Sequence, residues 1–356
     1  MDRATSSDAA MEFAEIEGTG IAMSRIGLGT WAIGGWMWGG SDEAEAIRTI
    51  RGAFERGIDL IDTAPVYGFG RSEEIVGKAL LGLRPRAVIA TKVGLDWKDG
   101  KPFRHASRAR IRQECEDSLR RLQTDHIDIY QVHWPDPKTP IAETAEAMRS
   151  LYEDGKIAAI GVSNFSVAQM EEFRRHAPLH VLQPPYNLFE RAIEDEILPY
   201  ARANGIATLG YGVLCRGLLS GTMRADAKFE GDDLRRTDPK FRQPRLGQYL
   251  AAVARLDKLA RARFGRTVID LAVRFSLDRG ISAALWGARR PDQLAPVAGA
   301  TGWTLDDAAM AEIGTILRDE VTDPVGPDFM APPAGVKWSA RALDARLRGH
   351  DKWVYI

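Results

Sequence analysis

Residues 58–73 read I-D-L-I-D-T-A-P-V-Y-G-F-G-R-S-E, an apolar run that reaches Asp62 and is followed in the next turn by Tyr67. Two later apolar runs also end in a polar residue, A-V-I-A-T-K at Lys92 and I-D-I-Y-Q-V-H at His133. Continuous apolar runs of this length are typical of strands buried on both faces of a parallel sheet. A barrel that closes these strands side by side would bring an acid, a phenol, an amine and an imidazole to one mouth.

Strand-like and helix-like segments alternate along the chain. Eight strands are predicted, at residues 26–28, 58–63, 87–92, 127–133, 158–162, 180–183, 206–211 and 282–286. Helices between them begin at cap sequences, namely Asp42-x-x-Glu45, Ser107, Thr139-Pro140 and Ser166-x-x-Gln169. This alternation predicts an α/β fold, a (β/α)8 TIM barrel. A doubly wound open sheet is the rival fold, and the lack of G-x-G-x-x-G after the first strand counts against it.

Two stretches fall outside the repeat. Residues 11–24 alternate apolar and polar around Glu17-Gly18-Thr19-Gly20, which predicts a hairpin that plugs the barrel floor. Residues 212–244 form a long connection after the seventh strand, where we expect a loop that closes over a ligand. The predicted division is an N-terminal segment with the hairpin (1–25), the barrel (26–332) and a basic tail (333–356). The tail either packs near the mouth or is dispensable.

The composition limits the possible partners. The 356 residues suit one large barrel or two ordinary domains, and 48 basic against 49 acidic residues give a formal charge of −1. No strong field would attract nucleic acid or an acidic membrane surface. Residues 104–121 are rich in arginine, but Ile111, Cys115 and Leu119 recur at helical spacing, which favours a solvated helix face.

The number of cysteines and the length of the apolar runs indicate the cellular compartment. Cys115 and Cys215 are too few for a disulfide framework or a metal knuckle, which fits a reducing compartment. No apolar run approaches the roughly 20 residues of a membrane helix. The N-terminus lacks the apolar core of a signal peptide, so a cytoplasmic protein is expected. No three-ligand His/Cys spacing occurs, and no metal is expected.

The polar residues at the strand ends suit the protonation of a carbonyl oxygen. Tyr67 is the candidate general acid, but a phenol is a poor acid at neutral pH unless its pKa falls. The ammonium of Lys92 would lower that pKa, and Asp62 would keep the lysine charged. His133 could orient the substrate oxygen or help to pass a proton. Singly, the four could be a cap, a turn, a surface lysine and a core histidine. Together at one mouth they predict a catalytic set.

The motifs resemble the aldo-keto reductase superfamily, from about Gly27 to about Pro333. The matching segments are D-T-A-x-x-Y-G-x-G-x-S-E from Asp62, T-K at Lys92, Q-x-H-W-P from Gln131, and residues 161–165, 183–187, 216–221 and 286–289. Residues 231–235, 238–241 and 323–333 resemble one bacterial branch, which holds general-stress and inositol-dehydrogenase-like reductases.

The resemblance implies a role for each matching residue. Asp62, Tyr67, Lys92 and His133 would form the catalytic tetrad, with Tyr67 as proton donor. The carboxamide of nicotinamide would be held by Ser163, Asn164 and Gln183, and its ring would stack on Tyr211. Other cofactor contacts would come from Thr30, Trp31, Gly212, Val213, Leu214, Arg216, Gly217, Arg235, Gly287, Ala288, Arg289 and Gln293.

The phosphate end can be argued from chemistry, because a dinucleotide diphosphate needs backbone N–H groups and cations. The loop at 212–221 supplies glycines and Arg216. Gly287-Ala288-Arg289 precedes a helix expected from Pro291, whose N–H groups can face an anion. Arg289 could pair with a 2′-phosphate, which favours NADP over NAD. Gln293 could contact the adenine side, and Arg235 resembles a residue that closes over the cofactor.

The chain departs from the family pattern near the diphosphate. Val213 stands where proline is frequent, and Thr222 where lysine is frequent. The missing lysine removes a cation, which bears on cofactor affinity more than on chemistry. The tail after Pro333 does not resemble the family's end.

The sequence therefore predicts a reversible NADP(H)-dependent reduction of an aldehyde or ketone to an alcohol, with NAD as a weaker alternative. Sugars, inositols, small dicarbonyls and ring ketones all stay open as substrates. An apolar pocket could be lined by some of five tryptophans, Trp31, Trp36, Trp38, Trp97 and Trp134, while others brace loops. The rivals are a Schiff-base enzyme using Lys92 and an NADP(H)-binding sensor barrel. The oligomeric state is left open.

Overall fold

The eight apolar runs all become parallel strands, and these strands close into a barrel. The structure is a computed structural model that describes residues 10–334. Its strands are β1 (Phe13–Ile16), β2 (Ile21–Ser24), β3 (Ile26–Gly29), β4 (Leu60–Asp62), β5 (Val88–Val93), β6 (Leu95–Lys98), β7 (Lys101–Arg104), β8 (Ile127–Val132), β9 (Ile157–Ser163), β10 (Val181–Gln183), β11 (Ala207–Gly210) and β12 (Ala283–Gly287). The closed order is β3-β4-β5-β8-β9-β10-β11-β12, so the predicted TIM barrel is confirmed.

Helices follow the strands and cover the barrel. They are α1 (Trp31–Gly34), α2 (Glu43–Glu55), α3 (Arg71–Ala79), α4 (Arg108–Leu122), α5 (Ile141–Glu153), α6 (Val167–Arg174), α7 (Ile197–Ala203), α8 (Arg245–Phe264), α9 (Val268–Asp278) and α10 (Asp307–Glu320). Asp42, Ser107 and Ser166 cap their helices as predicted, each accepting from a backbone N–H three residues on. The Thr139 cap is wrong: Pro140 holds the cap position of α5, and the Thr139 hydroxyl donates to Asp136 instead.

The predicted hairpin is β1–β2, joined in antiparallel register from Phe13↔Ser24 to Ile16↔Ile21. Its buried Ile16 and Met23 pack against the inward-facing apolar side chains of the barrel. Those side chains include Leu60, Val88, Ile129, Val181, Leu209 and Leu285. The hairpin therefore seals the apolar floor, and polar chemistry is confined to the opposite, carboxyl end of the strands.

Two elements differ from the sequence-based expectation. An antiparallel pair, β6–β7, stands where only a loop was expected after β5. The helix expected from Pro291 is a 3-10 segment, Pro291–Ala300, with Pro296 inside it. Proline has no N–H group, and its ring clashes with the carbonyl four residues earlier, so it disfavours a regular α-helix there.

The long connection after β11 and the C-terminal segment both lie over the barrel mouth. The connection contains three 3-10 segments, Cys215–Ser220, Leu234–Arg236 and Pro239–Phe241. The C-terminal segment includes the 3-10 segment Asp328–Met330, and Pro333 O accepts from the backbone N–H of Arg104. The basic tail residues, Arg341, Arg346, Arg348 and Lys352, lie outside the described residues. Among residues 10–334, no helix is both long and apolar enough to cross a membrane.

Candidate active site

Asp62 and Lys92 form a buried ion pair at the mouth. The two strands that carry them, β4 and β5, are neighbours, and both side chains point inward. Lys92 Nζ donates to Asp62 Oδ1 at 2.7 Å, to Asp62 Oδ2 at 2.8 Å and to Thr63 O at 2.9 Å. These three bonds use all the N–H groups of the ammonium. Burial lowers the pKa of Lys92, and the charge of Asp62 opposes that shift.

Tyr67 is held over this pair by a close approach of two backbone segments. A Cβ atom on Gly34 would lie 2.5 Å from Tyr67 O, and one on Gly68 would lie 2.2 Å from Gly34 O. Gly68 also has a positive φ of 69°, so both positions require glycine. The resulting turn places Lys92 Nζ 5.1 Å from the centre of the phenol ring. Lys92 therefore lies against the ring rather than bonded to its hydroxyl.

Two more aromatic groups frame Tyr67. The ring of Trp31 stacks on it with centroids 5.9 Å apart, and His133 meets it edge-on, also at 5.9 Å. The four residues expected to form the tetrad are thus brought together around one opening.

The protonation states differ in part from the sequence-based expectation. Burial raises the pKa of Tyr67 well above its usual value, and the charge of Asp62 adds to the rise. The expected net lowering of that pKa is therefore wrong for this arrangement, because burial of the phenol dominates and the charge of Asp62 adds to the rise. Burial, and next the charge of Lys92, lower the pKa of His133 well below its usual value. At neutral pH, a neutral phenol and a neutral imidazole face the opening.

Amides and hydroxyls form a connected row on the opposite side of the mouth. Ser163 Oγ donates to Gln183 O at 2.7 Å, and Asn164 Nδ2 donates to His133 O at 3.0 Å. Tyr211 Oη donates to Asn164 Oδ1 at 2.9 Å. Asn164 adopts a left-handed φ of 61°, which turns its side chain into this row. A row of amide donors and acceptors beside a phenol ring fits a planar carboxamide such as that of nicotinamide.

Thr30 and Trp31 have different surroundings although they are adjacent in sequence. Thr30 is fully buried, and its hydroxyl donates to Asp62 O at 2.9 Å. Trp31 lies at the surface of the mouth, edge-on to Trp38 at 5.6 Å. The Thr30 side chain thus stabilises the strand end that carries Asp62. Of the two side chains, only that of Trp31 is placed to contact a ligand.

The side chain of Arg216 belongs to a buried cluster of ion pairs. Its side chain is buried, with Nη2 2.6 Å from Glu190 Oε1 and Nε in ion-pair contact with Asp238 Oδ2 at 2.6 Å. Lys240 Nζ lies 2.7 Å from the same Glu190 oxygen. Burial alone would raise the pKa of Glu190, but the two cations hold it below its usual range. The guanidinium is therefore bound within this cluster, which counts against the expected side-chain contact with a diphosphate; that contact stays a prediction.

The backbone of the same loop retains an anion-binding shape. Gly212, Cys215, Arg216 and Gly217 all have positive φ, between 46° and 93°. Val213 is fully buried, whereas Leu214 is partly exposed. Successive turns of mixed handedness can aim backbone N–H groups into one concavity, so backbone contact with phosphate stays a prediction.

The region from Gly287 to Gln293 is organised differently from the expected helix start. Gln293 Oε1 accepts from the backbone N–H groups of Arg289 at 2.9 Å and Arg290 at 3.1 Å. These N–H groups are capped by the protein itself, which counts against their proposed role toward an anion. Ala288 is buried, and Gly287 is exposed with open space where a Cβ would stand.

Arg289 and Arg235 converge on the loop after β3. Arg289 Nη1 donates to Trp38 O at 2.7 Å. Arg235 pairs with Asp233 at 2.6 Å and lies 4.3 Å above the ring of Phe229. Burial alone would raise the pKa of Asp233, but the hydrogen bonds and charge of Arg235 hold it below its usual value, with a smaller contribution from the charge of Arg289. Two guanidinium groups therefore occupy one side of the mouth, on different elements.

The long loop crosses the mouth to reach these residues. Leu234 N donates to Met37 O at 2.9 Å, and Met37 N donates to Asp232 Oδ2 at 2.8 Å. The predicted loop over the mouth is confirmed as a feature of the fold. Its function toward a ligand stays a prediction.

An aromatic wall that the sequence reasoning missed in part lies on the other side of Tyr67. Phe69 packs against Trp36 at 5.0 Å and Trp97 at 5.6 Å, and Trp134 joins the same apolar cluster. Phe69 has a positive φ of 58° between two glycines, and this aromatic residue in G-F-G was the available signal. Trp134 also carries the guanidinium of Arg104 at 5.2 Å, which braces a loop as expected of some tryptophans.

The sequence model of the Aldo/keto reductase family matches residues 25–318. Among curated relatives, the chain is 62% identical over 326 residues to "Aldo-keto reductase YhdN" of Bacillus subtilis (strain 168), covering 91% of this chain and 98% of the relative. It is 38% identical over 318 residues to the "NADH-specific methylglyoxal reductase" of Escherichia coli (strain K12), covering 85% and 95%.

Two solved structures show the same likeness. The glycerol dehydrogenase AKR11B4 from Gluconobacter oxydans superposes with a TM-score of 0.82 at 53% identity, covering 90% of this chain and 99% of that one. An aldo/keto reductase from Klebsiella pneumoniae, in complex with NADP and acetate, superposes with a TM-score of 0.66 at 28% identity, covering 88% and 96%.

Proposed function

Since the chain belongs to the aldo/keto reductase family, we propose that it interconverts aldehydes or ketones and alcohols, with NADP(H) as hydride carrier and Tyr67 as the proton-exchanging group. The predicted class, an oxidoreductase acting on carbonyl and alcohol groups, is confirmed by the family. The observation that carries the residue assignment is the placement of Tyr67 between the Lys92–Asp62 pair and His133.

The proton step follows from the protonation states. When bound, the cofactor supplies or accepts the hydride at the substrate carbon. The phenol of Tyr67 stays protonated at neutral pH, so it can donate to the substrate oxygen as negative charge develops there. The phenolate left behind would lie beside the Lys92 ammonium until a proton returns from solvent. Neutral His133 can donate to the same oxygen and orient it.

Cofactor placement uses the amide row and the two arginines. Ser163, Asn164 and Gln183 would contact the carboxamide, and Tyr211 would stack on the ring. The arginines at positions 235 and 289 would bind the adenosine end, where a 2′-phosphate gives NADP its extra charge. The Klebsiella pneumoniae neighbour is a complex with NADP, whereas the Escherichia coli relative is named as NADH-specific. NAD therefore remains the weaker alternative for this chain.

The aromatic wall around Phe69 and the names of two relatives both bear on the substrate class. Methylglyoxal and glycerol, named for two of them, are small oxygen-rich molecules. The aromatic wall around Phe69 would restrict the space next to Tyr67. We propose small aldehydes, dicarbonyls and polyols as substrates, with ring ketones as a second class. The bacterial branch of general-stress and inositol-dehydrogenase-like reductases, a cytoplasmic location and an absence of nucleic-acid partners remain predictions.

The two rival functions are not favoured. A Schiff-base lysine must present a neutral amine, whereas Lys92 places three N–H groups on Asp62 and Thr63. A non-catalytic sensor would have no need for the four converging residues. Borohydride trapping with a carbonyl compound should leave Lys92 unlabelled.

The deciding experiment compares the wild type with Tyr67→Phe. Oxidation of NADPH is followed by absorbance with a panel of carbonyl compounds, and NADPH binding is measured separately. We expect Tyr67→Phe to lose turnover and retain binding. An undiminished rate would remove Tyr67 from the mechanism. Tyr152→Phe, a phenol on α5 away from the mouth, is the matched control.

A further inference from the structure

We infer that Gln131 is a positioning residue, which holds the side-chain amide of Gln183 so that the carbonyl of this amide faces the barrel mouth. The inference deepens the proposed function, in which Gln183 contacts the carboxamide of nicotinamide. It adds a residue from inside the barrel that touches neither substrate nor cofactor.

The orientation of the Gln183 amide is set by two acceptors. Its Nε2 lies 2.7 Å from Asp62 Oδ2 and 3.3 Å from Gln131 Oε1. An amide nitrogen has two N–H groups, and these acceptors use both. A reversed amide would place its oxygen against the Asp62 carboxylate, acceptor against acceptor. The carbonyl of Gln183 is thereby left for the N–H group of a ligand.

Gln131 keeps this contact at a cost to stability. Its side chain is fully buried, directly above an apolar floor that includes Ile129 of the same strand. Its own Nε2 is buried and has no hydrogen-bond partner among residues 10–334. A buried N–H group without a partner is destabilising, and an apolar side chain of similar shape would avoid the penalty. What an apolar side chain could not supply is the Gln131 oxygen that accepts the hydrogen bond from Gln183.

The neighbouring strand is shaped to let Gln131 reach Gln183. The two residues lie on β8 and β10, and β9 runs between them with Gly161 level with Gln131. A Cβ atom at position 161 would lie 2.7 Å from Gln131 Cγ. The missing side chain is therefore what allows Gln131 to extend across β9.

The test distinguishes binding of the nicotinamide carboxamide from binding of the rest of the cofactor. Gln131→Met removes the acceptor and keeps the side-chain length. Dissociation constants are measured by quenching of tryptophan fluorescence for two probes, NADP⁺ and its 3-acetylpyridine analogue. The analogue carries a methyl ketone in place of the carboxamide and therefore has no N–H group to donate at that position. Ile129→Val, which trims the floor without touching the amides, is the control.

We expect Gln131→Met to weaken NADP⁺ about tenfold, the scale of one lost hydrogen bond in a binding site, and to change analogue binding by less than about twofold. Equal weakening of both probes, or no weakening of NADP⁺, would overturn the inference. A wild type that binds both probes equally would instead contradict the proposed contact of Gln183 with the carboxamide. Gly161→Ala, which displaces Gln131, is the second variant and should show the same selective loss.

Discussion

The side-chain amide of Gln183 donates a hydrogen bond to Asp62 across the full width of the barrel, with Nε2 and Oδ2 2.7 Å apart. The strands that carry them, β10 and β4, stand opposite each other in the closed order. The same carboxylate accepts two bonds from Lys92. One anion therefore orients both the ammonium beside the phenol and the amide assigned to the cofactor.

Asp62→Asn should impair chemistry and cofactor binding together. The neutral amide cannot balance the Lys92 ammonium, and it gives Gln183 a weaker acceptor. We expect kcat to fall about a hundredfold and the Kd of NADP⁺ to rise severalfold. Asp59→Asn, which changes a carboxylate at the floor end that accepts from Ser24 N, is the control and should alter neither. A loss of kcat with NADP⁺ binding intact would show that the two roles are separate.

His133→Gln should make the protein less sensitive to acid. The folded state holds the pKa of His133 well below its usual value, so the imidazole stays neutral while the unfolded chain gains a proton near pH 6.5. The stability that comes from keeping this imidazole neutral is fully present above about pH 6.5. It is lost as the pH falls toward the pKa that His133 has in the folded protein. Urea midpoints at about pH 7 and about pH 5.5 should therefore differ less in His133→Gln than in the wild type. Equal differences would contradict the prediction, and His126→Gln, at a partly exposed histidine, is the control.

Arg216→Met should destabilise the protein without removing a ligand contact of its side chain. It leaves the buried Glu190 with only Lys240 and leaves Asp238 poorly compensated. Breaking a buried ion pair in this way costs about 3 kcal/mol in the free energy of unfolding. Urea unfolding measures the loss, and Arg224→Met, in an exposed pair with Asp226, should change it by less than about 0.5 kcal/mol. Equal stabilities of the two variants would show that the cluster contributes little.

Arg289→Ala should weaken NADPH far more than NADH. If its guanidinium meets the 2′-phosphate, the loss exists only for the phosphorylated cofactor, on the order of tenfold or more in KM. The adjacent Arg290 pairs with Asp292 at the surface, so Arg290→Ala is the matched control. Steady-state KM values for the two cofactors provide the measurement. Equal weakening of both would argue against the 2′-phosphate assignment.

Many positions in this site could be predicted from short segments of the sequence. The strand ends were predictable because continuous apolar runs stop where polar residues begin, and a TIM barrel collects the carboxyl ends of its strands. Gly34 and Gly68, by contrast, matter because two backbones touch, which neither local segment reveals. The ion pair of Arg216 was not predictable for the same reason, since its partner Glu190 lies on another loop.

The amino-acid order alone established the barrel, its floor hairpin and the four residues at its mouth, because periodicity and end positions are properties of short segments. Folding decided which charges cancel one another, why the Tyr67 pKa rises rather than falls, and how Gln131 reaches Gln183 over Gly161. Those outcomes depend on distances and burial between residues far apart in the chain, and electrostatic interactions are set by both.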